Sequence, residues 1–118
     1  MDRNLGGMTT QPPTAELADL AEGLGHENVR TLVRTFLRDF PQSLIELASG
    51  DRRTQHRQAH SLKSNTRLIG MHELSARLAL LEDRLAEEKG GDLTSQEFAA
   101  IEAEFAAVAA VLQEFARE

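Results

Sequence analysis

The sequence has no cysteine, tryptophan or tyrosine, and only five Phe and three Pro among its 118 residues. Without cysteine the chain cannot form disulfides, thiolate zinc sites or a cysteine nucleophile. This composition suits a reducing compartment, so we expect a cytoplasmic protein. No apolar run approaches the ~20 residues of a membrane span, and the first ten residues lack the pattern of a signal peptide. We therefore expect no direct membrane contact.

Positive charge is also scarce, with 13 Lys+Arg against 19 Asp+Glu and a net charge of −6. Nucleic acid is therefore not an expected partner, because phosphate contacts need clustered cations and base stacking needs aromatic rings. At 41% hydrophobic and 27% charged residues, the chain has the composition of one compact domain. We expect a flexible leader over residues 1–13, where Gly and Pro precede any periodic pattern, and one domain over residues 14–118.

Apolar residues recur at helical spacing along the whole of this domain. The pattern predicts helices over residues 15–24, 27–48 and 51–69, a fourth that carries Leu74 and ends near 88, and a fifth from 94 or 95. Pro41 predicts a kink or local loosening in the second helix, because proline has no N–H. Thr94 and Glu97 fit a capping box. Since the connections are short, the predicted fold is all-α: an antiparallel up-down four-helix bundle with a short extra N-terminal helix.

The third predicted helix has two contrasting faces. At about 100° per residue, its apolar face holds Ala59, Leu62, Thr66 and Ile69, which we expect in the core. The opposite face carries His60 together with Arg53, His56, Arg57, Lys63, Ser64 and Arg67. We therefore predict that His60 is exposed among cations. This helix has no carboxylate near His60 that could hold a metal.

Charge is segregated along the chain despite its acidic total. Residues 51–69 contain five basic residues and one acid, whereas residues 71–104 contain three basic residues and nine acids. A basic surface around an exposed imidazole can attract an acidic partner or a phosphoryl group. The same residues can also be no more than a solvated helix face.

One stretch carries a more specific pattern. Ala59–Leu85, AHSLKSNTRLIGMHELSARLALLEDRL, resembles the histidine-containing phosphotransfer (HPt) family, whose motif reads approximately Ala-His-x-Leu-Lys-Gly, with a Gly ten residues after the His and a later Leu-Glu. The residues in register are Ala59, His60, Leu62, Lys63, Gly70, Leu74, Leu81 and Glu82. The segment Phe36–Leu47 also resembles the family's second helix, so the resemblance covers residues 14–118. Ser64 departs from the motif, because the family usually has Gly directly after the Lys.

The resemblance implies a phosphocarrier without a kinase active site of its own, and hence no enzyme. It implies that His60 is reversibly phosphorylated, by analogy on Nε2, and that Lys63 contacts the phosphoryl oxygens. The implied partners are a response-regulator receiver domain and a hybrid histidine kinase. The receiver would hold Mg²⁺, so we expect no cofactor and no metal on this chain, which we expect to be a monomer.

A partner-docking surface is predicted around His60. Its expected members are Arg53, His56, Arg57, Ser64, Arg67, Leu68 and Met71. Leu68 and Met71 can form an apolar rim of this surface, or they can pack under the turn at Gly70. Glu82 is expected to support packing or a salt bridge.

The sequence also allows alternatives to the phosphocarrier function to be considered. A helical adaptor or dimerisation module could keep the HPt fold and use this face for binding alone; Ser64 motivates that hypothesis. His56 and His60 could bind a metal as a helical pair, but no third ligand is evident. A di-metal carboxylate bundle needs Glu-x-x-His pairs, and no Glu stands three residues before any of the histidines.

Overall fold

A computed structural model of the protein describes residues 11–117 and contains five helices. They are α1 (Ala15–Leu24), α2 (His26–Ser49), α3 (Arg52–Leu68), α4 (His72–Ala86) and α5 (Ser95–Arg117). Residues 11–117 include no strand. The predicted all-α class is confirmed, and the helix bounds agree closely with those expected from the periodicity. Residues 1–10 of the predicted flexible leader lie outside the described residues.

The last four helices form the bundle and α1 packs against α2. α3 packs between α2 and α4, and α5 packs chiefly against α2. Neighbouring helices run antiparallel, as the contacts between α4 and α5 show: Arg77 pairs with Glu104 and Arg84 with Glu97. Within the described part of the chain, no helix is both long enough and apolar enough to span a bilayer.

The core is almost entirely apolar and draws on all five helices. The rings of Phe40 on α2 and Phe105 on α5 stack with centroids 4.1 Å apart and an interplanar angle of 2°. The predicted inner face of α3 is confirmed, since Ala59, Leu62, Thr66 and Ile69 are all buried. The Thr66 hydroxyl donates to the Leu62 carbonyl at 2.8 Å, which satisfies the polar group in this apolar setting. Burial of this face turns the opposite face of α3 to solvent.

The α2 helix continues through Pro41 without interruption. The local loosening that the sequence predicts at this position therefore does not break the helix. Pro41 is exposed, so its ring lies outside the packed core. The long, unbroken α2 gives α3 a continuous surface to pack against.

The turn between α3 and α4 also anchors α1. The Thr14 hydroxyl accepts from the Leu17 N–H at 3.1 Å, which caps α1 as predicted, and donates to the Ile69 carbonyl at 2.7 Å. Gly70 has φ +87°, and a Cβ there would collide with Thr14. Glycine is required at this turn both for its backbone conformation and for the close approach of α1.

A single arginine joins the start of α3 to the loop between α4 and α5. The Arg52 guanidinium donates to the carbonyls of Arg84, Glu87 and Gly90 at 3.1, 2.9 and 2.7 Å. It also pairs with Asp92 at 2.6 Å. The predicted capping box at the start of α5 is present, with reciprocal bonds of 3.0 Å between Thr94 and Glu97. These contacts hold α4 in register beside α3.

Candidate functional site

His60 lies near the middle of α3, on the face opposite the core. Its side chain is 59% exposed, as predicted, while the preceding residue, Ala59, is fully buried. The helix backbone therefore fixes the position of an imidazole that a large partner can reach.

The imidazole is held from the neighbouring helix by Glu82. Nδ1 of His60 lies 2.7 Å from Oε2 of Glu82 on α4. An ionised carboxylate can only accept hydrogen bonds, so Nδ1 is the nitrogen that carries the proton. The other nitrogen, Nε2, makes no hydrogen bond to residues 11–117. The geometry thus selects the tautomer whose unprotonated nitrogen is Nε2.

Lys63 reaches the other oxygen of the same carboxylate. Its Nζ lies 2.5 Å from Oε1 of Glu82, and its side chain is 21% exposed. The backbone carbonyl of Lys63 accepts from the hydroxyls of Thr66 at 3.0 Å and Ser75 at 3.1 Å. Lys63 is therefore placed by α3 and α4 together, and in this structure its charge is directed at Glu82.

Glu82 lies at the centre of a cluster that also contains His56, His60 and Lys63. Its side chain is only 13% exposed, and Oε1 accepts no hydrogen bond of regular geometry within residues 11–117. The nearby Lys63 ammonium lowers the pKa of the Glu82 carboxyl below its ordinary value, and His60 lowers it further by a smaller amount. Burial of the carboxyl acts in the opposite direction. His56 adds a third basic side chain, with Nε2 4.0 Å from Oε2.

The predicted exposure of His60 on the cationic face of α3 is confirmed, but its direct partner is a carboxylate from the neighbouring helix. The hydrogen bond of Glu82 to the imidazole of His60 was not expected from the sequence. The predicted salt bridge of Glu82 is present, but it includes the candidate nucleophile as well as Lys63. The sequence did contain one indication of this contact, because Leu81 and Glu82 both match the family motif. Leu81 is buried, so the next residue on the helix, Glu82, lies toward the edge of α4.

The predicted docking residues fall into two groups. Those that reach the surface beside His60 are Arg53, Arg57, Ser64, Arg67 and Leu68, all exposed, with His56 half-buried. Met71 is 7% exposed and belongs to the core. Of the two positions that the sequence left open for Met71, burial excludes the exposed docking rim. Met71 follows the end of α3, so the helical spacing of α3 does not predict the direction of its side chain.

An apolar groove lies beside this surface, between α2 and α3. It has a volume of about 110 Å³ and is lined in part by Phe36, Phe40, Asn65 and Leu68. Leu68 is 46% exposed, so an apolar side chain of a partner could cover it. The described residues contain no group of three or more His, Cys, Asp or Glu side chains able to hold a metal.

A comparison with known protein families identifies the domain. Residues 14–111 match the family model of the Hpt domain. The chain belongs to the Hpt family. Searches of curated proteins and of solved structures find no match. Hpt domains are phosphocarrier modules of two-component phosphorelays, which interact with receiver domains and histidine kinases, and the helical bundle described above is that of an Hpt domain.

Proposed function

We propose that this Hpt domain carries a phosphoryl group on Nε2 of His60 and relays it between aspartates of receiver domains. The observation that carries the proposal is the hydrogen bond from Nδ1 of His60 to Glu82, which leaves Nε2 unprotonated on an exposed side chain. A neutral imidazole nitrogen is a competent nucleophile near pH 7.

The transfer step follows from this geometry. The Nε2 lone pair attacks the phosphorus of a receiver's aspartyl phosphate. The N–P bond forms while the acyl P–O bond breaks, and the aspartate leaves as a carboxylate. The His60 ring gains positive charge as the bond forms, because Nδ1 keeps its proton. The Glu82 carboxylate faces that charge at 2.7 Å, so their hydrogen bond strengthens as the reaction proceeds.

Lys63 supplies positive charge to the incoming phosphoryl oxygens. It lies one helical turn after His60 and at rest neutralises Glu82. Phosphoryl transfer depends mainly on positioning and on neutralisation of charge, which a mobile ammonium can provide. In this proposal Nζ turns from Oε1 of Glu82 toward the phosphoryl group when the group arrives.

The docking surface consists of the exposed residues around His60. Arg53, Arg57 and Arg67 provide positive charge there, and Leu68 opens onto the apolar groove. Positive charge accelerates encounter with an acidic partner, while apolar contacts stabilise the complex. Such a transient interface buries roughly 1,200 Å² in total or less. The occupant is a response-regulator receiver domain, with a hybrid histidine kinase upstream.

The remaining chemistry belongs to the partner. A receiver domain supplies the acceptor aspartate and its Mg²⁺, and this chain supplies no cofactor. The proposed carrier acts as a monomer. A cytoplasmic location stays a prediction.

Transfer from a panel of phosphorylated receiver domains tests the function. Intact mass at neutral or alkaline pH, where phosphohistidine survives, should show an adduct of ~80 Da on the wild type and none on His60→Gln. Equal phosphorylation of both proteins would overturn the assignment of His60. A folded wild type that accepts phosphate from no receiver would overturn the carrier function.

The second candidate is an Hpt-fold adaptor that binds without being phosphorylated. Ser64 favours it, because an exposed side chain stands beside His60 where the family usually has Gly, and this limits how closely a partner can approach. Receiver binding that survives His60→Ala, with no phosphohistidine detected, would support the adaptor. Ser64→Gly would then be expected to restore acceptance of phosphate.

A further inference from the structure

The two nitrogens of the His60 imidazole face different surroundings. Nδ1 lies 2.7 Å from Oε2 of Glu82, so this end of the ring is directed at α4. The N–H of one ring nitrogen and the lone pair of the other point to nearly opposite sides of an imidazole. Nε2, the nitrogen that attacks in the proposed transfer, is therefore directed away from α4. A phosphoryl group on Nε2 would lie on that outer side of the ring.

Lys63 approaches from the α4 side, where Nδ1 is. Its Nζ lies 2.5 Å from Oε1 of Glu82, and its side chain is only 21% exposed. A phosphoryl group in transfer spreads negative charge over three oxygens. An ammonium on the α4 side can face only the nearest of them, so the oxygens on the outer side are open to another donor.

The residues before His60 show which side chain points to that outer side. His56 faces α4, with Nε2 4.0 Å from Oε2 of Glu82. Gln58 faces α2, where its amide donates to Glu46 at 2.8 Å. Arg57 lies between these two residues, so at about 100° per residue it points to solvent between the two neighbouring helices. Its side chain is exposed, and no hydrogen bond or ion pair from residues 11–117 holds it.

The ring of His60 extends over the helical turn that carries Arg57. Helical side chains lean toward the N-terminus of their helix. The contacts of Glu82 agree with this lean, because its Oε2 lies near both Nδ1 of His60 and Nε2 of His56, one turn earlier. Residues three apart on a helix have Cβ atoms about 5–6 Å apart. The long side chain of Arg57 can therefore reach a phosphoryl group on Nε2, and its paired N–H donors match phosphoryl oxygens.

We propose that Arg57 is a catalytic residue that binds the phosphoryl oxygens on the outer side of His60, opposite Lys63. This inference rests on the proposed carrier function and adds a second phosphoryl ligand to it. No bond to Arg57 forms or breaks. Its guanidinium neutralises charge on the oxygens while the N–P bond forms, which is how fixed cations accelerate phosphoryl transfer.

The other arginines on this face lie farther from the imidazole. Arg53 and Arg67 are each seven residues from His60, which is about 10 Å along the helix axis. Arg67 lies in the direction away from which the ring leans, and it lines a shallow hollow that also contains Glu16. Arg53 lines a hollow that also contains Glu88. Arg67 is therefore a suitable control, because it is an exposed arginine on the same helix face without access to Nε2.

The experiment uses potassium phosphoramidate, which phosphorylates imidazole with loss of ammonia and needs no receiver domain. A role of Arg57 in docking alone therefore cannot affect the result. Phosphorylation is followed by intact mass at about pH 8, where an imidazole is neutral. About 0.5 M potassium chloride screens the general attraction between surface charge and the anionic reagent. The adduct formed on His60→Gln is subtracted, because other histidines are also exposed.

Arg57→Gln should be phosphorylated on His60 about three- to tenfold more slowly than the wild type. Arg57→Lys keeps the charge but loses the paired donors, so its rate should lie between the two. Arg67→Gln, the matched control, should follow the wild type. Circular dichroism of each variant confirms that the bundle is folded.

A second measurement observes the contact itself. In the NMR spectrum of the wild type, the Nε–H resonance of Arg57 is identified by its loss in Arg57→Gln. Phosphorylation of His60 should shift this resonance, because the guanidinium then donates to phosphoryl oxygens. The Nε–H resonance of Arg67 should stay in place.

The outcomes separate the two proposals. Equal rates for the wild type and Arg57→Gln, or an Arg57 resonance that phosphorylation leaves unchanged, overturn the role of Arg57 and leave the carrier function standing. Equal slowing in Arg57→Gln and Arg67→Gln also overturns it, because the effect would then be one of general surface charge. A folded wild type that accepts phosphate on His60 neither from phosphoramidate nor from any receiver domain overturns the carrier function, and the role of Arg57 with it.

Discussion

Glu82 accepts the Nδ1–H of His60 at 2.7 Å, although the two residues lie on different helices. The same carboxylate holds Lys63 at 2.5 Å through its second oxygen. One acid therefore sets both the tautomer of the candidate nucleophile, His60, and the position of Lys63. Because α3 and α4 pack closely along their length, this arrangement is a property of the helix pair rather than of the motif on α3.

Glu82→Gln is expected to slow phosphorylation of His60. The amide can still accept from Nδ1–H, but it lacks the charge that stabilises the imidazolium formed during transfer. Hydrogen bonds to charged groups are worth about 1.5–3 kcal/mol, which corresponds to a loss of about tenfold or more. Single-turnover transfer from a phosphorylated receiver measures the effect. Glu73→Gln, at an exposed position on the same helix, should leave the rate unchanged.

Lys63→Met should slow transfer as well, and a double variant separates its two roles. If Lys63 contacts the phosphoryl oxygens, Lys63→Met combined with Glu82→Gln is slower than Glu82→Gln alone, because no ammonium is present. Recovery of the Glu82→Gln rate or better in the double variant would mean that Lys63 serves only as the counter-ion of Glu82. A double-mutant cycle of transfer rates provides the measurement.

The lowered pKa of the Glu82 carboxyl predicts a loss of stability in acid. Lys63 first, and His60 second, favour the ionised form in the folded state. Glu82 therefore stabilises the fold above its unfolded-state pKa, and this contribution disappears as the pH falls through the lower, folded-state value. Urea unfolding of the wild type between about pH 6 and about pH 3 should show this decline. The decline should be smaller in Glu82→Gln; equal slopes in the two proteins would contradict the prediction.

Gly90→Ala should destabilise the bundle, whereas Gly91→Ala should not. A Cβ at Gly90 collides with the Arg84 carbonyl and lies 3.2 Å from the Arg52 guanidinium, so the contacts that hold the α4–α5 loop must shift. Strain of this kind costs about 1–3 kcal/mol. At Gly91 the added Cβ meets Arg84 at 3.5 Å, an ordinary contact. The thermal unfolding midpoints of the two variants test this prediction. Similar midpoints would show that the loop tolerates the collision.

The part of the site that lies on α3 was predictable from the sequence. The spacing of Ala59, Leu62 and Ile69 orients the helix, so His60 must point away from the core. The motif register also placed Lys63 one turn after His60. The sequence could not decide between an exposed and a buried Met71, because this residue follows the helix, where the backbone turns at Gly70 and a helical angle no longer describes the direction of a side chain.

Sequence alone determined the number and order of the helices, the buried face of α3 and the exposure of His60. Each of these depends on the spacing of apolar residues within one helix, and that spacing can be read directly from the sequence. Only the tertiary structure decided that Glu82 binds His60 and Lys63, and that His56 stands 4.0 Å from the same carboxylate. Those contacts depend on the register and separation of α3 and α4, which are set by core packing, by the turn at Gly70 and by the bonds of Arg52.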